Sequence, residues 1–497
     1  MAALRRVLSI LSAIGLLAGA AGLVWADSAI PAPPSAMGVP QEVAVPPGDS
    51  IAVCPGALRG PTEGEGEVVY DPRFDPEATF VEAVGRGVVE GGDGGRATPL
   101  EEGAATALTG PLAVTTQTVG PEAVRLEAYS SQAEPALATG AVFQHLGDGD
   151  LRGLAATPCV EPAAEAWLVA GSTETGSSAR LLLTNAGFTT VTASLALWDG
   201  AGPVEAVGLE GMVVPARSQR AVLLEGFAGD VSRLAARVTA SGGELAVFLQ
   251  HSRLEGLTQG GTELAVPGLA PAKEVVIPGL NVTASDFDTP RASAIRLVNP
   301  GAAAANVQVE LWGPDGPTSL PGLGAAQVGA GLVSDLSLAG LPAGRYIAKV
   351  VADRPVAAAG LSLRAGEPSA PEEFAWTNSA TALARGFLAL PEEDLQAHLV
   401  AGAAEATSLT VTPIDAAGKR GQPGRLEASA ASTVTATPGD LGADAATVAF
   451  EFAWDGEPGW LALAVSASDA AGEMISAVIP RGAWAEGSAI GAYPVTR

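Results

Sequence analysis

An internal repeat constrains the fold of this chain more than any other feature of its sequence. The segment Leu181–Gly187 recurs as Ile295–Gly301, 114 residues further on, and both copies end in Asn-x-Gly. The same offset carries Leu197-Trp198 onto Leu311-Trp312. One offset that fits separate places along the chain indicates a duplicated structural unit. We therefore predict two copies of one module, at residues 166–272 and 276–385.

The other two quarters of the chain are weaker copies of this unit. Val142–His145 resembles Val247–His251, and Ser408–Thr412 followed by an Asp/Gly turn repeats the pattern near the C-terminus. Residues 57–110 are predicted to be an irregular insertion with a flexible glycine-rich loop at Gly91–Gly95. The predicted organisation is a signal peptide or membrane anchor, an irregular β-sandwich module and three further β-sandwich modules, at residues 1–26, 40–162, 166–272, 276–385 and 386–497.

The hydrophobic pattern of each module is that of short β-strands. Asn306–Leu311 alternates polar and apolar residues with period two, as a half-buried strand does. Gly313–Gly316 then supplies Pro and Asp-Gly, which favour a tight turn. The predicted fold is all-β, with tandem immunoglobulin-like antiparallel β-sandwich modules behind an N-terminal hydrophobic export or anchor helix. The sequence leaves open whether these modules form a stiff rod or a flexible chain.

The N-terminus carries the signature of export. Arg5 and Arg6 precede the apolar stretch Val7–Trp25, and no acidic residue occurs before Asp27. Such a pattern is typical of a secretory signal, and the stretch is also long enough to span a bilayer. Cleavage after Ala26 and retention as an anchor both remain open. In either case the protein is predicted to be extracytoplasmic, with membrane contact only through residues 7–25.

Two cysteines, Cys54 and Cys159, are present in the whole chain. In an exported protein, two cysteines indicate one disulfide. A reactive thiol pair would favour a CxxC-like spacing or a basic neighbour, and neither occurs here. A bridge that closes a loop of roughly 100 residues stabilises the fold by about 4–5 kcal/mol on the chain-entropy model. We predict a structural disulfide.

The charge balance excludes some partners. The net charge is −27, from 54 acidic and 27 basic residues. Nucleic acid is therefore not expected as a partner, because phosphate binding needs clustered Lys and Arg. Charged residues make up only 16% of the chain and the mean hydropathy is +0.29, which argues against wholesale disorder. The remaining candidate partners are an envelope protein or the cell-wall glycan, their identity open.

The chain offers few residues for catalysis. Its three histidines, His145, His251 and His398, fall in three different modules. His145 and His251 occupy equivalent repeat positions, which favours a structural role over a shared catalytic or zinc site. No nucleophile elbow, HExxH sequence, P-loop or dinucleotide fingerprint occurs. We predict a protein that is not an enzyme, with no catalytic residues, no metal and no cofactor.

Short acidic runs suggest solvated loops rather than chemistry. Glu372-Glu373 and Glu392–Asp394 are adjacent carboxylates, whereas a glycosidase needs two carboxylates placed across a cleft. Asp148–Asp150 and Asp286–Asp288 lack the full spacing of an EF-hand and fit simple turns better. The sequence leaves calcium binding open and favours a solvated face for the two runs of adjacent carboxylates.

Two further pairs of repeat-equivalent residues are predicted to be structural. Asn185 and Asn299 precede Ala-Gly and Pro-Gly, which suits an Asx turn. Trp198 and Trp312 end equivalent strands, where core or inter-module packing is favoured. Exposed tryptophans could instead stack on sugar rings, so these two are also the candidate ligand residues.

These features resemble an actinobacterial family of secreted or membrane-anchored proteins known as domain-of-unknown-function family 5719. The matching motifs are Cys54-Pro55-Gly56, Cys159 before Trp167, Leu181–Gly187 and the turn after Trp198. The resemblance covers most of residues 40–385 and implies an envelope protein of a high-GC actinobacterium. It identifies no catalytic residue.

Three functions are consistent with this pattern. The first is a non-catalytic cell-envelope protein whose tandem β modules serve protein interaction or scaffolding outside the membrane. The second is an array of modules that bind cell-wall glycan, for which Trp198 and Trp312 are the only support. The third is an unrecognised extracellular hydrolase. We expect the first.

Overall fold

The structure is a computed structural model that describes residues 15, 18, 41–45, 47–60, 80–101, 103–131, 134–256, 258–289, 291–318, 325–364, 366, 371–482, 484 and 488–492. These residues belong to two compact units. In the smaller unit, β1 (Gln41–Val45) pairs antiparallel with β35 (Ser488–Ala492). The larger unit is Pro47–Glu486.

The predicted export segment, Val7–Trp25, lies outside the described residues except for Gly15 and Ala18. Within the part of the chain that the structure describes, no helix has the length and apolarity to cross a bilayer.

The strands of the larger unit follow one another in four groups. Group 1 consists of β2 (Ser50–Cys54), β3 (Phe80–Glu90), β4 (Gly95–Pro99), β5 (Thr106–Leu108), β6 (Leu112–Thr118), β7 (Val124–Ala128), β8 (Leu137–Leu146) and β9 (Gly153–Pro158). Group 2 consists of β10 (Glu165–Leu168), β11 (Ser177–Asn185), β12 (Val191–Trp198), β13 (Pro203–Val204), β14 (Met212–Val214), β15 (Ser218–Leu223), the 3-10 turn η1 (Leu224–Gly226), β16 (Ala235–Ser241), β17 (Ala246–Glu255) and β18 (Thr258–Ala265).

Groups 3 and 4 repeat this arrangement. Group 3 consists of β19 (Ala272–Val282), β20 (Ala294–Val298), β21 (Ala305–Gly313), β22 (Gly316–Thr318), β23 (Ala326–Val328), β24 (Val333–Ser337), β25 (Gly344–Arg364) and β26 (Glu373–Asn378). Group 4 consists of β27 (Arg385–Ala389), β28 (Gln396–Gly402), β29 (Thr407–Asp415), β30 (Gly424–Ala428), β31 (Val434–Ala436), the 3-10 turn η2 (Gly439–Leu441), β32 (Thr447–Trp454), β33 (Trp460–Asp469) and β34 (Gly472–Val478).

Each group forms two antiparallel sheets with the same strand order. One sheet, which we call the ring sheet, has the orders β6-β3-β8-β9, β15-β11-β17-β18, β24-β20-β25-β26 and β31-β28-β33-β34. The other, the flanking sheet, is built around β7, β16, the first half of β25 and β32. The long strand β25 belongs to both sheets of group 3, whereas the other groups use two strands there. The prediction of an all-β antiparallel fold is confirmed.

The last strand of every ring sheet contacts the last strands of two other groups. We call β9, β18, β26 and β34 the ring strands, because β9 contacts β18 and β34, and β26 contacts the same two strands. The four groups therefore close into a cycle. The internal repeat does not indicate this closure, since it predicts only that the modules follow one another in tandem.

Burial on both faces of the ring sheets explains the cycle. Every residue of β8 and of β9 is buried. A strand of a single two-layered sandwich has one buried and one solvated face, so continuous burial requires cover on both faces. Neighbouring groups supply that cover, because one apolar cluster joins each successive pair and another joins group 4 to group 1.

A disulfide ties the first group together. Cys54 of β2 is bonded to Cys159, which directly follows β9. The predicted pairing is confirmed, and it joins a flanking sheet to a ring strand of the same group.

The predicted irregular insertion is wrong for part of its length. Within residues 57–110, β3 is a central strand of the ring sheet and β4 and β5 belong to the flanking sheet. The glycine-rich segment Gly91–Gly94 is the connection between β3 and β4. Its many glycines concealed the strand pattern on either side.

Candidate functional site

The histidines occupy separate places in the fold. His145 lies on β8 and His251 on β17, and each of these strands is the third strand of its ring sheet. His398 lies on β28, where its Nδ1 is 3.3 Å from Nη2 of Arg345. Burial is the first cause that lowers the pKa of all three imidazoles.

Both repeat-equivalent tryptophans are buried. Trp198 is 8% exposed and stacks on Trp167, with ring centroids 5.2 Å apart. Trp312 is 2% exposed and meets Trp460 of group 4 edge to face at 5.6 Å. Stacking on a sugar needs an exposed aromatic face, so neither residue is available as a ligand platform. Their packing, within group 2 and between groups 3 and 4, corrects the candidate assignment as ligand residues.

The repeat-equivalent asparagines make the same hydrogen bonds. Asn185 Nδ2 donates to the carbonyl oxygens of Thr189, Val214 and Pro215, and Asn185 Oδ1 accepts from the Gly187 amide. Asn299 makes four matching bonds, to Ala303, Val328, Gly329 and Gly301. Each partner in the second set lies 114 residues after its counterpart. The Asx turn is therefore a duplicated structural device that joins a loop to the flanking sheet.

Buried polar side chains meet where the ring strands converge. Each ring strand supplies one member of this ring-centre cluster, namely Thr157, Glu263, Glu373 and Ser476. The Ala156 amide donates to Ser476 Oγ at 2.9 Å, and Ser476 Oγ donates to Glu263 Oε2 at 2.8 Å. This chain of hydrogen bonds crosses from β9 through β34 to β18.

The two carboxyls of the ring-centre cluster lie out of water. Burial raises the pKa of Glu263 to about 8, and it raises the pKa of Glu373 well above the usual range. Neither carboxyl oxygen of Glu373 has a hydrogen-bond partner among the described residues. A Cβ on Gly261 would lie 2.6 Å from Glu373 Oε1, and Gly261 has φ +90°, so only glycine suits that position.

The expectation that Glu372-Glu373 forms a solvated face is wrong. Glu373 is fully buried, and the Glu372 side chain is 12% exposed. Glu373 is the first residue of β26 and Glu372 directly precedes it, and this strand is covered on both faces. By contrast, Glu392–Asp394 are exposed, as predicted. Nothing in the local sequence separates the two runs, because the difference arises from the closure of the ring.

An arginine-lined cavity lies where groups 2 and 3 meet. Its volume is about 560 Å³. One wall is the ring sheet of group 3, with Leu361, Phe374 and Trp376, and the other comes from the loops and β17 of group 2. Four arginines line this space, Arg233, Arg253, Arg291 and Arg296.

Arg296 is a structural part of the cavity wall. Its Nε and Nη2 donate to the two carboxylate oxygens of Asp335 at 2.8 and 2.9 Å, and Nη1 donates to the Gly171 carbonyl at 2.6 Å. Its guanidinium carbon lies 4.8 Å from the Trp376 ring centroid. A buried guanidinium with this set of partners joins group 3 to group 2.

The other three arginines are less completely paired. Arg253 Nη1 and Arg291 Nη2 share one carboxylate oxygen, Glu372 Oε1, at 3.4 and 3.1 Å. Arg233 makes no ion pair with any residue that the structure describes. The cavity therefore combines surplus positive charge with hydrogen-bond donors, and it can hold an oxyanion.

His251 forms part of the cavity floor. The Trp376 indole Nε1–H donates to His251 Nδ1 at 3.1 Å, which assigns the imidazole proton to Nε2. Burial, followed by the charges of Arg296 and Arg291, lowers the pKa of His251 to about 3. The ring is therefore neutral at pH 7, and its Nε2 has no partner among the described residues.

Sequence reasoning missed the cavity. Its arginines stand singly in the sequence, on elements of two different groups, and no motif joins them. The one available signal was the repeat position of His251. For metals, the described residues contain no group of three or more His, Cys, Asp or Glu side chains that could hold an ion.

A family model matches residues 114–439, which is more than half of the chain, and its description is a family of unknown function, DUF5719. The matched region starts after Cys54 and continues past residue 385 into group 4, whereas the sequence motifs covered most of residues 40–385. Neither the curated proteins nor the solved structures contain a significant match. The duplicated Asn-x-Gly turns lie inside the matched region. The chain belongs to DUF5719, a family of unknown function.

Proposed function

We propose that this protein is a non-catalytic component of the cell envelope that binds another protein and holds it outside the membrane. The closed cycle of ring strands carries the proposal. It joins the four groups through shared apolar clusters, so that loops from different groups keep fixed positions relative to one another. Rigid presentation of loops suits a docking scaffold.

The proposal includes a finer description of the fold and of the location. Each strand group corresponds to one immunoglobulin-like module, with the four ranges predicted from the repeat. The basic and apolar N-terminal segment directs the chain out of the cytoplasm and either is cleaved or anchors it. The proposal also includes an actinobacterial origin, which the resemblance of the sequence motifs to the family implies.

Two alternatives have less support. A glycan-binding array depended on exposed Trp198 and Trp312, and both are buried. A hydrolase needs catalytic residues assembled across modules, and the three histidines, the usual candidates, lie on strands of three different ring sheets. Neither has a structural feature in its favour among the described residues.

Site-specific photocrosslinking in the native envelope tests the proposal. A photoreactive residue would replace Phe188, Val207 or Phe287, three apolar side chains that stand in solvent. We expect at least one of these positions to yield a discrete crosslinked protein. Glu427, exposed on the flanking sheet of group 4, is the control position.

Two outcomes would contradict the scaffold. One is the absence of any discrete protein adduct together with salt-resistant co-sedimentation of the chain with cell-wall sacculi, which supports the glycan alternative. The other is a hydrolytic activity that disappears when all three histidines are replaced.

A further inference from the structure

The cavity between groups 2 and 3 has the dimensions of a small-molecule site. At about 560 Å³ it falls within the range of pockets that enclose organic ligands. Its walls are also of two kinds, with Leu361, Phe374 and Trp376 on one side and guanidinium groups on the other. Such a division of apolar and charged surface matches a ligand with an organic body and an anionic head.

The charge of the cavity is opposite to that of the whole protein. The chain carries a net charge of −27, whereas four arginines line this space against the carboxylates of Glu174 and Asp335. Both carboxylate oxygens of Asp335 accept hydrogen bonds from Arg296, one from Nε and one from Nη2. One carboxylate oxygen of Glu372 forms ion pairs with both Arg253 and Arg291. An excess of cations is thus maintained in one cavity of a strongly acidic molecule.

The pairing leaves donors for a ligand. Arg233 has no carboxylate partner among the described residues, and Arg253 and Arg291 share theirs. His251 adds a neutral Nε2–H, because its Nδ1 already accepts the Trp376 indole proton. His251 is 3% exposed, so this unpaired donor is held out of bulk water. A buried donor without an acceptor is costly, so His251 adds hydrogen-bonding capacity only where an acceptor reaches Nε2.

We propose that this cavity binds an organic oxyanion, with Arg233, Arg253 and Arg291 around its carboxylate or phosphate group and Phe374 and Leu361 against its body. Guanidinium groups recognise both kinds of oxyanion by paired hydrogen bonds. The proposal goes beyond the scaffold role and does not depend on it, since a scaffold without a ligand and a ligand-binding protein without a protein partner are both conceivable.

Thermal unfolding and titration calorimetry of the full chain in mild detergent test the proposal. The probes are D-glucuronate for the carboxylate, glucose 6-phosphate for the phosphate, and glucose as the neutral control, all at one ionic strength set with NaCl. We expect at least one anionic probe to raise the unfolding temperature in a saturable manner, because a ligand of the folded state stabilises it. Glucose is expected to have no effect.

The matched variants are Arg233→Ala and Arg354→Ala. Arg233 lines the cavity, whereas Arg354 is an exposed arginine on β25 outside it. We expect R233A to weaken binding at least tenfold and R354A to leave it unchanged. Because R233A removes no ion pair with a described residue, its unfolding temperature without ligand should stay close to that of the wild type. R233K is the second variant and should bind with intermediate affinity.

Three results would overturn the proposal. They are the absence of saturable binding by either anionic probe, equal stabilisation by glucose, and equal affinity of R233A and the wild type. The crosslinking experiment on the scaffold role has separate readouts, so failure of one proposal is distinguishable from failure of the other.

Discussion

At the scale of single residues, the buried carboxyl of Glu263 is expected to make the free energy of unfolding depend on pH. It lies on a ring strand, accepts the Ser476 hydroxyl and the Leu264 amide, and is nearly inaccessible to water. Burial raises its pKa to about 8 from an ordinary value of 4.5. The carboxyl is therefore protonated in the folded protein at neutral pH, but it ionises when the chain unfolds.

This difference sets the sign of a pH dependence. Unfolding releases a proton between the two pKa values, so the free energy of unfolding falls as the pH rises from about 4.5 to about 8. Glu263→Gln keeps the shape and removes the titration. We expect the wild type to lose on the order of 3 kcal/mol more than the variant over this interval. Urea unfolding at several pH values measures the difference.

The control for this prediction is Glu427→Gln, at an exposed carboxylate. Its pH profile should run parallel to that of the wild type. If E263Q also ran parallel to the wild type, the carboxyl would not be held protonated in the folded state.

The duplicated asparagines give a second prediction at this scale. Asn299 is fully buried, and Asn299→Ala leaves three carbonyl groups and one amide without their partner. Each buried polar group left unpaired costs about 1–3 kcal/mol where water cannot enter. We expect the free energy of unfolding to fall by at least about 2 kcal/mol, read from the urea midpoint.

Asn306→Ala is the matched control, because Asn306 is exposed and bonds to Asp353 at the surface. It should change stability by less than about 0.5 kcal/mol. An equal effect of both substitutions would show that the Asx turn has no special weight.

At the scale of elements, local pattern predicted some strands well. The predicted half-buried strand Asn306–Leu311 lies within β21, which extends from Ala305 to Gly313. Covered and open residues alternate over the first part of β21, so its period of two is visible in the sequence. By contrast, β18 has the sequence Thr-Gln-Gly-Gly-Thr-Glu-Leu-Ala, whose polarity and glycines suggest a loop. Its burial comes from neighbouring groups that lie far away in the sequence, and local pattern does not record them.

The candidate site was hidden for the same reason. Glu263, Glu373 and Ser476 come together only because three ring strands meet. The cavity draws its arginines from β17, β20 and two loops. The repeat predicted the equivalence of His145 and His251, but periodicity does not report which strands of different groups are neighbours.

Close contact between ring strands leads to a prediction for β9. Gly153 is its first residue, and a Cβ there would lie 2.6 Å from the Thr262 backbone nitrogen of β18. Gly153→Ala should force these strands apart and lower stability by about 1–3 kcal/mol. Gly120 has no atom within 4 Å of such a Cβ, so Gly120→Ala is the matched control and should be near neutral. Comparable urea midpoints for the two variants would contradict the close approach.

At the scale of the whole molecule, the larger unit is held together by contacts between groups as well as within them. Apolar clusters join groups 1 and 2, 2 and 3, 3 and 4, and 4 and 1. Polar contacts follow the same cycle, since Arg296 joins group 3 to group 2 and Arg152 of group 1 binds Asp469 of group 4. A unit closed in this way can present several loops in a fixed geometry, as the scaffold proposal requires.

A double-mutant cycle between Arg152 and Asp469 tests this closure most directly. The two residues are 317 positions apart, and Arg152 Nη2 donates to Asp469 Oδ1 at 2.8 Å. Arg152→Met and Asp469→Asn, singly and together, would be compared by urea unfolding with the disulfide intact. The account predicts a coupling energy of at least about 1 kcal/mol, because residues in direct contact are not additive. Additivity within about 0.5 kcal/mol, as for residues that do not meet, would contradict a closed cycle of four groups.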